Sequence, residues 1–511
     1  MTHEEDGWKR TKEPRILVVT PEITYLPQGM GNMANRLIAK AGGLADVSAS
    51  LVATLFEQGA DVHVALPNYR RMFSVEVANL ISDELRVYKS KLPTDRIHLA
   101  EDRVFYYRNS VYGDYNNENP KIALAFQREV INNIIPRVKP DLIHCNDWMT
   151  GLVPSMARRL DIPCLFTVHN IHTMKMTLEQ IEENGIDAAE FWQYLYYQWP
   201  PSTYEATRST NPVDLLTSGI FGAHYINTVS PTFLKEVAEG QHHFVPPQVE
   251  YEMKCKFEEG CAAGILNAPP TEFNPATDAH LAKLYSVDDV AAGKAANKVC
   301  IQEKLGLDVD ARAPLLFWPS RLDPVQKGPQ LLTDILYDIV DQYWADELQL
   351  VVVANGDYQK PFRDIVRMHD FYGRVAICDF SDPLSHLAYA ASDFVLMPSL
   401  FEPCGLPQMI GMVYGSLPIA HDTGGLHDTI VHLDADAGTG NGFLFENYNA
   451  DGLRWAVDRA LDFYRLPPQR RWENVGRIMT QAHEQFSYDR CARDYIRVYE
   501  HMLQRPLLKA F

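Results

Sequence analysis

The sequence predicts an α/β protein built from two Rossmann-like domains, and three observations carry that expectation. Short apolar, β-branched runs alternate with helical patterns from end to end, the signature of parallel sheets with crossover helices. Nearly every run starts apolar and ends polar, so polar residues collect at the carboxyl edge of each sheet, where open α/β sheets bind ligands. The chain is 511 residues long, too long for one ordinary core.

In the first half the expected strands are RILVVT (15–20), DVHVALP (61–67), DLIHCND (141–147), CLFTVHN (164–170) and YINTVS (225–230). In the second half they are LLFWPSR (315–321), LQLVVVANGD (348–357), RVAICDF (374–380), FVLMPS (394–399), LPIAHDT (417–423) and GFLFE (442–446). Between the sets, NAPPTEFNPATD (267–278) is rich in Pro, Asn and Asp and reads as a linker. The expected domains are therefore 1–266 and 279–484. A helical stretch at 485–511 is left over once the second sheet is complete, and it is expected to pack back on the first domain.

Composition narrows the function. A net charge of −19 argues against nucleic acid and anionic membranes, which demand basic surface. No segment is long and apolar enough to span a bilayer, and the charged opening MTHEEDGWKRTKEP lacks the apolar core of a signal peptide. Eight cysteines are scattered with no CxxC pair, which points to reduced thiols and a cytoplasmic protein.

Four constellations carry chemistry. FEPCGLPQMIG (401–411) places Glu402 and the Cys404-Gly405 turn where a strand gives way to a helix N-terminus, where backbone N–H groups and the helix dipole favour anions. A carboxylate beside a phosphate cradle suits a nucleotide-sugar site. KAGGLADV (40–47) sets two glycines and Lys40 at the start of an amphipathic helix, so a ligand can approach the backbone closely. SRLDPVQKG (320–328) offers Arg321 and Lys327 to a diphosphate, Arg as a fork and Lys as a point charge. TVHNI (167–171) and HCNDW (144–148) bring His169 and Asp147 to one strand edge, and HDTGGLHD (421–428) adds a second Gly-Gly turn. Each motif alone also fits a turn, a solvated cation or a hydrogen-bonded core histidine. Their repetition at equivalent strand ends in two sheets is the stronger signal.

These residues resemble the glycogen and starch synthase family, retaining glucosyltransferases of the GT-B fold, in which two Rossmann-like domains face each other across a cleft. The resemblance runs from about residue 14 to the end. It rests on KAGGLADV, HCNDWMTGL, TVHNI, INTVSPTF, GILN, NPATD, SRLDPVQKG, FSDPLSHLAYAASDFVLMPSLFEPCGLPQMIG, TGGLHDTI and GFLFENYNADGL, in that order. It implies transfer of glucose from ADP-glucose or UDP-glucose to the non-reducing end of an α-1,4-glucan, with no metal and no cofactor. Carried over by position, Lys40, Gly42, Gly43 and Asp46 approach the donor, and Arg321 and Lys327 stabilise the departing diphosphate. Phe380 stacks on the base, Glu402 holds the donor glucose, and the carbonyl and side chain of His169 lie beside the reacting carbon. Cys404, Gly405 and Leu406 offer phosphate contacts. Asn267 falls on the donor's sugar side, and Asp147 and Asn170 on the sugar and acceptor side. Breaking a glycosyl–phosphate bond builds positive charge on the sugar and negative charge on the phosphate. Each preorganised group that meets such charge is worth roughly 3–4 kcal/mol.

Paired carboxylates at glycosidase spacing are not readable, so hydrolysis by that route is not supported. Asp434 and Asp436 spell Asp-x-Asp but lie in a loop before a Gly-rich turn. The departures from the family are uneven. Pro407 stands where the family has Thr and removes one backbone N–H, though proline is at home in a first helical turn. On the acceptor side, TYLPQGMGNMANRLIA (24–39), HTMKM (172–176) and NAPPTEF (267–273) all differ, and these loops are expected to line the cleft mouth. Two other readings follow: the same donor chemistry on a small sugar or polyol, and a weakly active glucan-binding regulatory relative. Retention of Lys40, Arg321, Lys327 and Glu402 argues against the last.

Overall fold

The computed structural model describes residues 13–31, 34, 37–73, 96–113 and 118–508. It divides into two compact units. The first takes in the chain up to Val229, Leu234–Ile265 and everything from Tyr488 on, and the second takes in Ser230–Phe233 and Leu266–Ser487.

The first unit is a seven-stranded sheet in the order β3-β2-β1-β4-β5-β8-β9. Its strands are β1 (Arg15–Val19), β2 (Asp61–Pro67), β3 (Ile97–Ala100), β4 (Leu142–Asn146), β5 (Cys164–Val168), β8 (Tyr225–Thr228) and β9 (Ala262–Gly264). Every pairing is parallel. A small antiparallel pair, β6 (Lys175–Met176) with β7 (Val213–Asp214), sits apart from it. The central strands are apolar without alternation because both faces are covered; Ile16 to Val19 and Cys164 to Val168 are all buried. The edge strands β3 and β9 were not expected. IHLA is only four residues long and AAG three, and the second has no side chain large enough to mark a buried face.

The second unit is a six-stranded parallel sheet, β12-β11-β10-β13-β14-β15. It comprises β10 (Leu315–Trp318), β11 (Gln349–Val353), β12 (Val375–Cys378), β13 (Phe394–Met397), β14 (Leu417–His421) and β15 (Phe443–Phe445). All six lie inside the expected runs, trimmed at their polar ends. A buried ion pair fixes its centre. Asp393, one residue before β13, accepts from Lys298 Nζ at 2.5 Å and from the Leu315 N–H of β10 at 2.9 Å.

Two boundaries differ from expectation. The segment 267–278 is packed on the second unit: the buried Asp278 carboxylate takes hydrogen bonds from Tyr414 Oη (2.6 Å) and the His386 ring (2.7 Å). The short piece Ser230–Phe233 also belongs to that unit, because Asp428 accepts from Ser230 Oγ, from Thr232 Oγ1 (2.6 Å) and from the Thr232 N–H (3.1 Å).

The C-terminal helix, Tyr488–Leu503, is counted with the first unit and packs on the helix Gly43–Glu57. A buried chain of hydrogen bonds seats it on the sheet. Asn227 Nδ2 donates to Tyr495 Oη (3.1 Å), and Thr167 Oγ1 donates to Asn227 Oδ1 (2.6 Å). With its only proton committed, the Thr167 hydroxyl accepts from His144 Nε2 (2.7 Å), so His144 Nδ1 accepts from Tyr499 Oη at 2.8 Å. Burial pushes the His144 pKa down to about 3, which keeps the ring neutral as this network requires.

Candidate active site

In each sheet the strand order reverses once, between β1 and β4 in the first and between β10 and β13 in the second. Loops leaving such neighbouring strands diverge to opposite faces and open a crevice at their carboxyl ends. The site residues of each unit gather there.

In the first unit β4 is followed directly by Asp147, whose backbone has φ 58° and ψ 178°. That region is strained for any residue with a side chain. The conformation turns the carboxylate onto the next strand end: Oδ1 accepts from the His169 N–H at 2.8 Å and Oδ2 from Asn170 Nδ2 at 3.0 Å. Burial raises the Asp147 pKa to about 7, against the lowering pull of its bonds to His169 and Asn170. His169 Nε2 pairs with Asn146 Oδ1 at 2.9 Å, and Asn146 Nδ2 donates to the Val19 carbonyl (3.2 Å). Donation from Nε2 leaves Nδ1 as the acceptor nitrogen of the ring, and burial holds its pKa at about 3. Asp147, His169 and Asn170 thus form one constellation.

Glu22, just past β1, was not singled out from sequence. Its Oε2 accepts from the backbone N–H groups of Ala41 (2.6 Å) and Gly42 (3.0 Å), and Tyr112 donates to Oε1 at 3.2 Å. Burial raises its pKa, with those bonds pulling the other way. At the expected Gly42-Gly43 turn, the Gly42 N–H is thus already held by Glu22. The helix Gly43–Glu57 still begins without a side-chain cap. Lys40 pairs with Asp46 at 2.9 Å, Lys40 being partly exposed and Asp46 nearly buried. A lone Glu after a strand carries no signal of this role, which depends on a contact made some twenty residues on.

The inserted segment between Glu22 and Lys40 is closed at its base by paired backbone bonds between Ile23 and Ala39, at 2.9 and 2.8 Å. Ile23, Leu26, Met30, Ala34, Leu37 and Ala39 are buried, so it is a packed loop. Asn32, Met33, Asn35 and Arg36 lie outside the described residues. HTMKM is likewise built in: Lys175–Met176 form β6, and Thr173 Oγ1 donates to Asp214 at 2.8 Å.

In the second unit, Lys327 Nζ meets Glu402 Oε2 at 2.5 Å, with Lys327 coming from the loop after β10 and Glu402 from the loop after β13. Their side chains are 12% and 6% exposed, so solvent screens the pair little. Ser399 Oγ donates to the same oxygen at 3.0 Å. The loop reaches this position through Gly328, whose φ of 71° and close approach to the Pro398 carbonyl leave no room for a Cβ. Gly424 and Gly425 play a similar part: a Cβ on either would stand about 2 Å from the carbonyl oxygen of Glu402 or Cys404, and the Gly425 N–H donates to the Glu402 carbonyl at 2.9 Å. The second Gly-Gly turn therefore clamps the Glu402 loop by its backbone.

Pro407 is the first residue of the helix Pro407–Val413, where its missing N–H costs no helical bond. Leu406 caps that helix without a side-chain bond, and Gly405 turns the chain at φ 73°. Burial pushes the Cys404 thiol up to about 12, which removes it as a nucleophile. Asn267, buried, faces Cys404 through its N–H, and its Oδ1 has no partner among the described residues. Such an orphaned acceptor is costly unless a ligand meets it. Arg321 is exposed, and so is the ring of Phe380, at 55%. Asn355, not anticipated, ties their loops together: its carbonyl accepts from the Leu322 N–H (3.0 Å) and its side chain from the Phe380 N–H (2.9 Å). Asp434 is a turn residue, accepting from the N–H groups of Asp436 and Ala437 at 2.9 Å.

Residues 15–246 match the family model of the starch synthase catalytic domain, and 304–478 that of glycosyl transferases group 1. A glycogen synthase of Exiguobacterium sibiricum is 33% identical over 492 residues, covering 90% of this chain and 95% of that protein. A glycogen synthase of Bacillus subtilis is 30% identical, with coverage of 90% and 95%. Among solved structures, the catalytic domain of starch synthase IV from Arabidopsis thaliana, bound to ADP and acarbose, superposes with a TM-score of 0.76 at 26% identity, covering 96% of this chain and all of that one. The chain belongs to the glycogen synthase family and is a GT-B hexosyltransferase of the glycogen and starch synthase type.

Proposed function

We propose that this protein extends α-1,4-glucans by moving glucose, with retention, from ADP-glucose or UDP-glucose to a non-reducing end. The observation that carries the reading is the nearly buried Lys327–Glu402 pair at the strand-order reversal of the second unit. One oxygen of Glu402 is committed to Lys327 and Ser399, and the other takes hydroxyls of the donor glucose. Lys327 and Arg321 neutralise the diphosphate as the glycosyl bond opens, so the charge a metal would supply comes from side chains and the transfer runs without metal or cofactor. The first helical turn at Gly405 and Leu406 lies against phosphate, the open face of Phe380 stacks on the base, and Asn267 Oδ1 accepts from the donor. On the first unit Lys40, Asp147, His169 and Asn170 are the residues offered to phosphate and sugar. His169 is neutral and offers its backbone carbonyl to positive charge on the ring.

The relatives named glycogen synthase and the ADP- and acarbose-bound neighbour support a nucleotide donor and a glucan acceptor. Labelled ADP-glucose and UDP-glucose, offered separately with glycogen, maltooligosaccharides and small polyols, test the proposal. Elongated polymer with one donor is the expected product. Transfer only to a small acceptor, or nucleotide binding with no transfer to anything, overturns it.

A further inference from the structure

Among the described residues, one grouping places three metal-ligating side chains together, and none of the three is among the residues assigned to transfer. His280, Asp382 and His386 bring one ligand atom each to within 4.8 Å of one another. Asp382 and His386 stand one turn apart at the start of the helix Asp382–Ala391, so their side chains project from the same face. The His386 Nε2 to Asp382 Oδ2 distance is 3.9 Å. His280 comes from the segment that precedes this helix by a hundred residues, and its ring meets that of His386 edge-on at 4.9 Å between centroids.

The surroundings of His386 give this grouping its metal-binding character. Its Nδ1 bonds the buried carboxylate of Asp278 at 2.7 Å, and Asp278 is itself fixed by Tyr414 (2.6 Å) and by the His280 N–H (2.9 Å). Phe273 stacks flat on the ring at 4.2 Å. A carboxylate that accepts from Nδ1–H leaves the Nε2 lone pair aimed away from it, which is how proteins orient an imidazole toward an ion. The same Asp278 therefore presets one ligand through its side chain and another through the backbone of His280. Asp382 and His280 are exposed and His386 is buried, so an ion meets two side chains free to close in and one already placed. Ligand atoms around a tetrahedral ion at bonds of about 2.0–2.2 Å sit nearer together than these do, and rotation of the two exposed side chains covers that difference.

We propose that His280, Asp382 and His386 bind a divalent first-row transition ion of the zinc type, with solvent in the remaining position. Two imidazoles and a carboxylate disfavour magnesium and calcium, which take oxygen ligands, and the absence of thiolate disfavours cuprous copper. The bound ion fastens the segment around His280 to the start of the helix Asp382–Ala391.

The test uses the full, tag-free chain after chelator treatment. Zinc is titrated calorimetrically and cobalt is followed by visible absorption, for the wild type and for His280→Ala, Asp382→Asn and the double variant. The wild type should take up one equivalent of cobalt with ligand-field bands and no near-ultraviolet sulfur charge transfer. Each exposed-ligand variant should weaken binding by about tenfold or more, the double variant should lose it, and zinc should raise the melting temperature of the wild type alone. Equal binding by wild type and double variant, no stoichiometric binding, or a cobalt spectrum of thiolate type overturns the proposal. Melting in the absence of metal shows whether the variants fold, and both substitutions are at exposed positions. The readouts are metal binding and melting, so they stand or fall independently of glucosyl transfer.

Discussion

Glu402 and Asp147 show how one carboxylate differs from another. Glu402 shares one oxygen between Lys327 and Ser399, so it stays poised as an ordered acceptor. Glu402→Ala should lower transfer by at least about 10²–10³-fold, the usual loss when one preorganised polar group is removed from a transition state. ADP affinity measured by calorimetry should stay within a few fold, and turnover close to wild type would remove Glu402 from its assigned role. Asp147 carries no cation, and burial lifts its pKa to about 7. In the unfolded chain it ionises near about 4. Between those values the folded state holds more protons than the unfolded one, so this group's stabilisation is complete below about pH 4 and is lost as pH rises toward 7. Melting temperatures of wild type and Asp147→Asn, compared from pH 4 to 8, should diverge in that window, with the wild type falling more steeply. Parallel curves would show that the buried carboxyl is already ionised at acid pH.

Within single elements, the polar contacts are the discriminating ones. The helix Tyr488–Leu503 is seated through Tyr495 and Tyr499, both fully buried, on side chains of β4, β5 and β8. Tyr499→Phe keeps the ring and removes only the hydroxyl, leaving His144 Nδ1 buried without its donor. An unsatisfied buried acceptor costs about 1–3 kcal/mol. Thermal melting should report that loss, and Thr167→Val should act in the same direction by breaking the next bond of the chain. A neutral result for Tyr499→Phe would mean that water replaces the hydroxyl. The inserted loop between Glu22 and Lys40 is held in a similar way: Ile23, Leu26, Met30, Leu37 and Ala39 are buried, its base is bonded, and its two ends deliver Glu22 to the backbone of Ala41 and Gly42.

For the whole molecule, the order of the chain and the order of the cores differ. The last element belongs to the first unit, and a short piece of the first half belongs to the second. Truncation after Ser487 should therefore destabilise the first unit. It uncovers the helix Gly43–Glu57 and strips the donor from His144 and the acceptor from Asn227, while every described strand of the second sheet is kept. Calorimetry of the truncated chain should show one transition lowered or lost and another retained. Loss of both transitions would show that the second sheet also depends on this helix.

The parallel strands were legible because each is buried on both faces and so reads as an uninterrupted apolar run, and the glycine turns were legible because they follow those runs directly. The edge strands IHLA and AAG were not, since an edge three or four residues long carries too few side chains for a pattern. The residue types at the strand ends, with Glu402, Lys327, Asp147 and His169 among them, came from sequence by itself. Their pairing did not. Glu402 and Lys327 are 75 positions apart, and His386 and Asp278 are 108 apart. Glu22, Asn355 and Asp278 gain their parts only from such distant contacts. Local periodicity determines which face a residue buries, and that was enough for the fold class and the central strands, while the family came from the motifs at the strand ends. Which carboxylate meets a lysine, which one burial makes harder to ionise, and which histidine is oriented by a carboxylate were decided by the tertiary structure. Those outcomes depend on distances and desolvation that exist only once the strands are laid side by side.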